Sequence, residues 1–504
     1  MTALFDPVAW WGRVDGRRTA LVEASTGHRR TYAALHEDAE RWSALLEEHG
    51  VVRGDRVAVL AQNRIEFIAL LFGCIRRGAM LVPLNWRLSA VELARVLNNA
   101  TPRLLFGEAR YRELAEQAIA SAGLAAMPFI DFTDDVPTLL GDVDMTRAEV
   151  RPECSAEDST MLLYTSGSTG MPKGVMITHR QLLWNAIATT TAWALGANDV
   201  GPAATPFFHT GGWNVFTTPL LFCGGTVLLT EGFEPADHLE TLYRFGVTVT
   251  FGVPTQLAML SQQRNWGRPL PSLRWFIAGG APCPQRLKDA VRAAGYNFRE
   301  GYGLTECGPN CFATNDNTAK TFDGSVGWPV PYLEMRLRGD HGALVSDDVL
   351  GELELRGPQL FGGYFDQPAQ TAAAMTHDGW FRTGDLAIRN ADGVYAIRGR
   401  RKEMYISGGE NVFPGEVEAA LLECAGVVEA SVIGIADAHW GEVGCAIVVR
   451  SDTALSDVDL LADARRRLAG YKVPKRVCFV DAIPRLGSGK IDRRALSDMV
   501  SAGE

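Results

Sequence analysis

From Thr31 onward the chain alternates between amphipathic segments of helical period and short runs that are apolar throughout. "TYAALHEDAERWSALLEEHG" offers Thr31 as an N-cap, apolar residues at helical spacing and Gly50 as a stop, and "DRVAVLAQN" then supplies a short apolar strand. "RIEFIALLFGCIRRG" and "AMLVPLN" repeat the order, and similar units recur near "GGTVLLT", "GVTVTFGVPT" and "LRWFIAGGAP". That order predicts parallel strands with helices packed on their faces, an α/β fold. At 504 residues, 47% hydrophobic and 21% charged, the chain has apolar content for a large core and is too long for one domain. After "GVYAIRGRRKE" its character changes to a compact run with its own helix, "PGEVEAALLECAG", and its own strands, "VVEASVIGIAD" and "CAIVVR". The expected boundary therefore falls near residue 400, dividing the chain into 1–399 and 400–504.

Charge and cysteine usage exclude several classes of function. A net charge of −10 and a pI near 5.5 argue against a surface for nucleic acid or anionic membrane, which needs a basic face. The nine cysteines are scattered without CxxC pairs, Cys307 and Cys311 being the closest, so neither a disulfide framework nor a zinc site is signalled. A reducing compartment is expected. The start, "MTALFDPVAWWGR", lacks a basic segment followed by an apolar one, and the longest apolar run, "FIALLFGC", is too short to span a bilayer. The expectation is a cytoplasmic protein.

One stretch asks for a ligand. "YTSGSTGMPKGV", Tyr164 to Val175, holds three glycines, four hydroxyl residues and one lysine, between "STMLLY" and "GVMIT", which both read as strands. A Walker A loop needs its lysine directly after glycine and a helix behind it, whereas Pro172 intervenes here and a strand follows. What is left is a ribbon of backbone N–H groups and hydroxyls around one cation, which suits nucleotide phosphates. An ordinary polar loop is the plainer alternative. Against it stands the lysine itself: the chain has only seven among 49 basic residues, and Lys173, Lys402 and Lys490 all fall in glycine-rich motifs. A compact point charge does work that a planar guanidinium does not.

Six motifs in order, "YTSGSTGMPKGV", "FFHTGG", "GYGLTE", "FRTGD", "GRRKEMYISGGENVFPGEVE" and "PRLGSGKIDRR", give the chain a resemblance over nearly its whole length to the acyl-adenylate-forming superfamily, the AMP-forming acyl-CoA synthetases in particular. The resemblance implies a large N-terminal domain of two α/β subdomains plus a distorted β-barrel, and a small mobile α+β C-terminal domain. It implies ATP, Mg²⁺ and coenzyme A as co-substrates and cofactor, a small-molecule carboxylic acid as substrate, and a monomer or homodimer.

The site residues follow from the same resemblance, position by position. Thr165, Ser166, Gly167, Ser168, Thr169, Gly170 and Lys173 would embrace the β- and γ-phosphates. Tyr302, flanked by Gly301 and Gly303, would lie against adenine, with Thr305 at the α-phosphate and Glu306 on Mg²⁺, a hard ion suited to carboxylate oxygen. Asp385 would take the ribose hydroxyls, Arg400 would add a ribose or phosphate contact, and Ile397 would border the nucleotide. Gly280, Ala281 and Pro282 would line the adenine slot, unless they form only a tight turn. Lys490 would reach the carboxylate and α-phosphate during adenylation and leave when the small domain rotates about Lys402, after which Gly408 and Gly409 would let the pantetheine arm pass. Glu403 stands where the family pattern has Asp.

The acyl pocket is expected around His209, Trp213, Asn214, Val215, Phe251 and Gly327. His209 reads equally as a hydrogen-bonded core residue. No cationic residue occurs from Phe207 through Thr230, which points to a hydrophobic acid, bulky or ring-containing, with medium-chain, aromatic and polycyclic acids all open. The leading expectation is a complete acyl-CoA ligase. The alternative is an enzyme of one half-reaction, adenylating for a carrier protein or converting a supplied adenylate; a silent nucleotide-binding protein would have no need of both Lys490 and Glu306.

Overall fold

A computed structural model describes residues 4–149, 152–165, 172–314, 324–339, 342–487 and 490–502. The fold is mixed α/β in several sheets. The first sheet runs, edge to edge, Phe129–Asp131, Leu104–Gly107, Arg56–Leu60, Met80–Pro83, Ser159–Thr165 and Lys173–Thr178. All neighbours are parallel except the last pair, so the stretch read as strand, turn, strand is an antiparallel hairpin with Thr165 opposite Lys173. Helix Tyr32–Glu48 begins at Thr31, whose hydroxyl accepts the Ala34 N–H, and Gly50 turns the chain at φ +67°. It packs on helix Ile65–Arg77, where Gly73 has no room for a side chain: a Cβ would lie 2.6 Å from the Trp42 Cβ.

A second layer joins Arg29–Thr31, Thr19–Glu23, Thr226–Leu229 and Val200–Ala203 to a parallel trio, Val249–Gly252, Trp275–Ala278 and Phe298–Glu300. The Thr248 N–H donates to the Val200 carbonyl at 2.9 Å, tying the two groups edge to edge. A third, antiparallel sheet contains Phe312–Ala313, Ser325–Pro329, Tyr395–Arg400, Phe381–Arg389, Gly351–Arg356 and Glu334–Arg338. One buried cluster, including Trp42, Phe106, Leu163, Phe207 and Leu355, runs through all three. The last sheet, built from Tyr405–Ser407, Glu410–Val412, Val427–Asp437, Gly441–Arg450 and Arg476–Phe479, draws on residues beyond 400 and has its own core around Val417, Val432 and Leu460. Among the described residues no helix is long and apolar enough to cross a membrane.

Candidate active site

Open parallel sheets offer ligands the crevice beyond their carboxyl ends, where the chain turns back and its N–H groups face outward. Here the trio ends at Gly252, Ala278 and Glu300, and the next residues are Val253, Gly279 to Pro282, and Gly301 to Glu306. These turns fit together because side chains are missing. A Cβ on Gly279 would stand 3.1 Å from the Gly301 carbonyl and 3.2 Å from the Phe251 ring, and one on Gly303 would stand 2.3 Å from the carbonyl carbon of Pro309. The second contact excludes any residue but glycine. Gly280, Ala281 and Pro282 form an exposed lip, with Gly280 at φ +83°.

Tyr302 leaves this floor towards the third, antiparallel sheet. Its hydroxyl donates to Asp385 Oδ2 at 2.5 Å, and Arg400 Nε lies 3.2 Å from Asp385 Oδ1, the two residues being opposite each other on paired strands. Burial pushes the Asp385 carboxyl up, against the pull of Arg400 and the Tyr302 hydroxyl. With two lone pairs on each oxygen, the carboxylate keeps acceptor capacity beyond these two partners. Ile397 sits half-buried on the neighbouring strand, opposite Ala387.

Thr305 and Glu306 begin a short 3₁₀ turn held from two sides. Gln181 donates to the Thr305 carbonyl at 3.0 Å, and the Phe361 N–H donates to the Glu306 carbonyl at 2.7 Å. The Tyr364 hydroxyl donates to Glu306 Oε1 at 2.8 Å, while the Lys173 ammonium lies 5.0 Å from the centre of the same ring. Tyr364 has no motif to announce it in the sequence, and its partners are far off along the chain. Thr165 and Lys173 flank the glycine-rich loop expected to hold phosphates, whose Ser166, Gly167, Ser168, Thr169 and Gly170 lie outside the described residues. Among the described residues no three His, Cys, Asp or Glu side chains gather as a metal cage. A single half-exposed carboxylate, oriented by a neighbour, fits Mg²⁺, which takes one or two carboxylates and completes its shell with phosphate oxygens and water.

The loop bearing Lys490 is seated on the large domain. Asn85 Nδ2 donates to the Gly487 carbonyl at 3.1 Å, and a Cβ on Gly487 would stand 2.7 Å from Leu88 Cδ2. Burial of the surroundings and the Arg400 cation lower the Lys490 pKa, Glu306 opposes them, and Lys402 and Glu403 act in smaller measure. The side chain keeps solvent access, which moderates these effects. Lys490 therefore stands in the electrostatic field of Glu306 and Arg400, although it is far from both in sequence. Asn85, Trp86, Arg87 and Leu88, beneath the loop, carried no signal in the sequence beyond a turn.

The apolar expectations divide. Phe251 is half-buried, its ring edge 3.5 Å from where a Cβ on Gly211 would stand and 3.2 Å from where one on Gly279 would stand, so the ring packs between these two glycines. His209 is half-exposed, its ring 4.5 Å from Phe208. Trp213, Asn214 and Val215 are packed in the core instead. The indole of Trp213 is fully buried, stacked on Phe207 at 4.0 Å, edge-on to Phe67, and donates to the Phe207 carbonyl at 2.6 Å. Asn214 binds Thr210 and Thr218, and the Val215 carbonyl accepts from Asn310. These three offer no open face to a ligand. Gly327, at φ +94°, serves close backbone approach, since a Cβ there would collide with the Ala313 carbonyl.

Lys402 is exposed in the turn Arg401–Glu403, where Arg401 pairs with Glu352 of the third sheet at 3.0 Å. Gly408 and Gly409, at φ +61° and +86°, are the two-residue tip of a hairpin joining Tyr405–Ser407 to Glu410–Val412. Gly408 packs on Trp440, and nothing lies within 4 Å of a Cβ on Gly409.

The sequence pattern of the AMP-binding enzyme family matches residues 8–365, and that of the AMP-binding enzyme C-terminal domain matches residues 416–490. A feruloyl-CoA synthase from Amycolatopsis is 38% identical over 95% of this chain and 95% of its own length. An indoleacetate–CoA ligase from Aromatoleum aromaticum is 35% identical over 94% of this chain and 93% of its own. The o-succinylbenzoate CoA synthetase MenE from Bacillus subtilis, solved with its acyl-adenylate intermediate, superposes with a TM-score of 0.89 at 29% identity, covering 99% of both chains. The chain belongs to the AMP-binding enzyme family, the acyl-adenylate-forming enzymes, and is an AMP-forming acyl-CoA synthetase.

Proposed function

We propose that this chain activates a ring-bearing, hydrophobic carboxylic acid with ATP and transfers the acyl group to CoA, with Lys490 and Glu306 serving the first step. The observation that carries this reading is the docked Lys490 loop: Asn85 and Leu88 hold Gly487, and the ammonium stands in the field of Glu306 beside the turns at the sheet's carboxyl ends. A carboxylate is a poor acyl donor because its leaving group would be oxide. Attack of its oxygen on the α-phosphorus forms a carboxylate–phosphorus bond while the bond to the β-phosphate oxygen breaks and pyrophosphate departs. Charge spreads over phosphoryl oxygens in that step, so fixed cations and N–H donors supply most of the rate.

The roles divide by place. Thr165 and Lys173, with Ser166 to Gly170 between them, hold the departing phosphates. The Tyr302 ring and the lip at Gly280, Ala281 and Pro282 hold adenine over the floor made by Gly301 and Gly303, with Ile397 at its border. Asp385 and Arg400 hold the ribose, and Thr305 donates to the α-phosphate. Glu306 would hold Mg²⁺, which when bound neutralises charge on the phosphate oxygens. Lys490 bridges the attacking carboxylate and the α-phosphate. The division near residue 400 then lets 400–504 swing about Lys402, removing Lys490 and bringing the Gly408–Gly409 hairpin to the site. There the CoA sulfur forms its bond to the acyl carbon as the bond to AMP breaks.

Phe251, Gly211 and His209 would border the acyl group. Among the relatives' names, feruloyl, indoleacetate and succinylbenzoate are ring acids, beside a long-chain fatty acid in another. Incubating the protein with ATP, Mg²⁺ and a panel of aryl-alkenoic, aryl-acetic and medium-chain acids, with and without CoA, tests the reading when pyrophosphate, AMP and thioester are measured separately. Thioester from ring acids in excess over chain acids is expected. Pyrophosphate without thioester would favour the half-reaction alternative, and preference for unbranched chains would overturn the substrate class.

A further inference from the structure

The segment from Phe361 to Phe365 holds two parts of the site at once. Its Phe361 N–H donates to the Glu306 carbonyl at 2.7 Å, and it pairs with the strand that Lys173 opens: Gly362 N–H to Met176 carbonyl at 2.9 Å, Met176 N–H to Gly363 carbonyl at 3.0 Å, and Phe365 N–H to Gly174 carbonyl at 2.8 Å. Tyr364 is the member whose side chain does the same. Its hydroxyl donates to Glu306 Oε1 and its ring receives the Lys173 ammonium. Its own N–H is fixed on Thr371 Oγ1 at 2.9 Å, and the residue is 8% exposed, so the side chain has little freedom to leave either partner.

We infer that Tyr364 is a positioning residue that sets the magnesium carboxylate Glu306 and the phosphate-loop lysine Lys173 in mutual register. The inference rests on the reading of Glu306 and Lys173 given above. A carboxylate on a flexible stem has several orientations. A hydroxyl fixed on one oxygen selects among them and leaves the other oxygen for the ion, and removing such an outer partner costs metal affinity about 10- to 100-fold. The ring face holds the ammonium by a cation–π contact, which anchors one end of the loop without a competing carboxylate. A buried tyrosine with its hydroxyl merely satisfied would show the same hydrogen bond but no effect on magnesium.

The test is ATP binding followed by calorimetry without any acid, with Mg²⁺ varied from chelator-treated to saturating, alongside a melting curve. In Tyr364→Phe the ring stays and the hydroxyl goes. The expected result is parental ATP affinity without metal and an about 10-fold or greater rise in the Mg²⁺ needed for half-maximal enhancement. Tyr364→Leu should show the same magnesium shift and in addition a several-fold loss of metal-free ATP affinity. Thr371→Val, which releases the Tyr364 N–H without touching Glu306, should shift the magnesium requirement in the same direction by less, and it carries the test if the aromatic variant does not fold. An unchanged magnesium requirement in the folded variants overturns the inference. A parent protein that binds no ATP would instead overturn the reading beneath it.

Discussion

Glycines mark both the turns at the carboxyl ends of the parallel trio and the hairpin of the small domain, yet they do opposite things. Gly303 has no space around it, with backbone atoms of Gly308 and Pro309 within 2.4 Å of where a Cβ would stand. Gly409 has open space on every side and a backbone that only glycine adopts at ease, at φ +86°. The first is a matter of packing and the second of conformation. The difference suits the proposed reading, a fixed surface for the nucleotide and an exposed tip brought to it by domain rotation.

Gly303→Ala should break the comparison most visibly. The new methyl has no flexible side chain to displace, so the turn from Tyr302 to Glu306 must move, at a cost of about 3 kcal/mol or more. A melting curve and ATP calorimetry should both show large losses, and a stable variant with parental ATP affinity would contradict the packing argument. Lys490→Ala comes next, because it removes one cation from one step. Adenylate formation should fall about 10² to 10³-fold while thioester formation from synthetic acyl-AMP stays close to parental. Equal losses in both steps would remove the lysine from its role.

Acid sensitivity distinguishes the domains more gently. Burial holds His179 and His238 of the large domain down to about 4, below the ordinary value near 6.5. The unfolded chain then binds more protons between those values, so stability is lost as pH falls through that window, by up to about 2 kcal/mol per histidine at pH 5. In the small domain the half-buried Glu418 carries the opposite sign, its carboxyl pushed up by burial against Arg493. His238→Gln should flatten the decline in melting temperature between pH 7 and 5, and an unaltered slope would show that this side chain is already protonated in the folded state. Gly409→Ala should have the smallest effect, about 1 kcal/mol from the left-handed backbone, with Gly409→Asn milder still. A loss equal to that of Gly303→Ala would erase the distinction.

Much of this was legible because the signals are local. The alternation after Thr31 predicts the parallel sheet, and the flanks of "YTSGSTGMPKGV" predict the hairpin that Thr165 and Lys173 frame. "WNVFTTPLLF" is apolar along its length, so the sequence alone does not tell a pocket wall from the core at Trp213. Only its stacking on Phe207 and Phe67 places it in the core. Tyr364 was not legible at all: "FGGYF" has no motif, its carboxylate partner is 58 residues away, and the lysine is farther still. The seat of the Lys490 loop on Asn85 likewise joins positions 402 residues apart, which no periodicity reports.

On the proposed reading, the arrangement with Gly487 against Leu88 makes the adenylate, and thioester formation requires leaving it. Leu88→Cys together with Gly487→Cys would place two thiols close enough for a disulfide when the loop is docked. In the oxidised protein, a single turnover with acid, ATP and Mg²⁺ should release pyrophosphate as in the parent, while added CoA yields no thioester until a reductant opens the bridge. An oxidised, fully bridged protein that makes thioester at the parental rate would contradict the account.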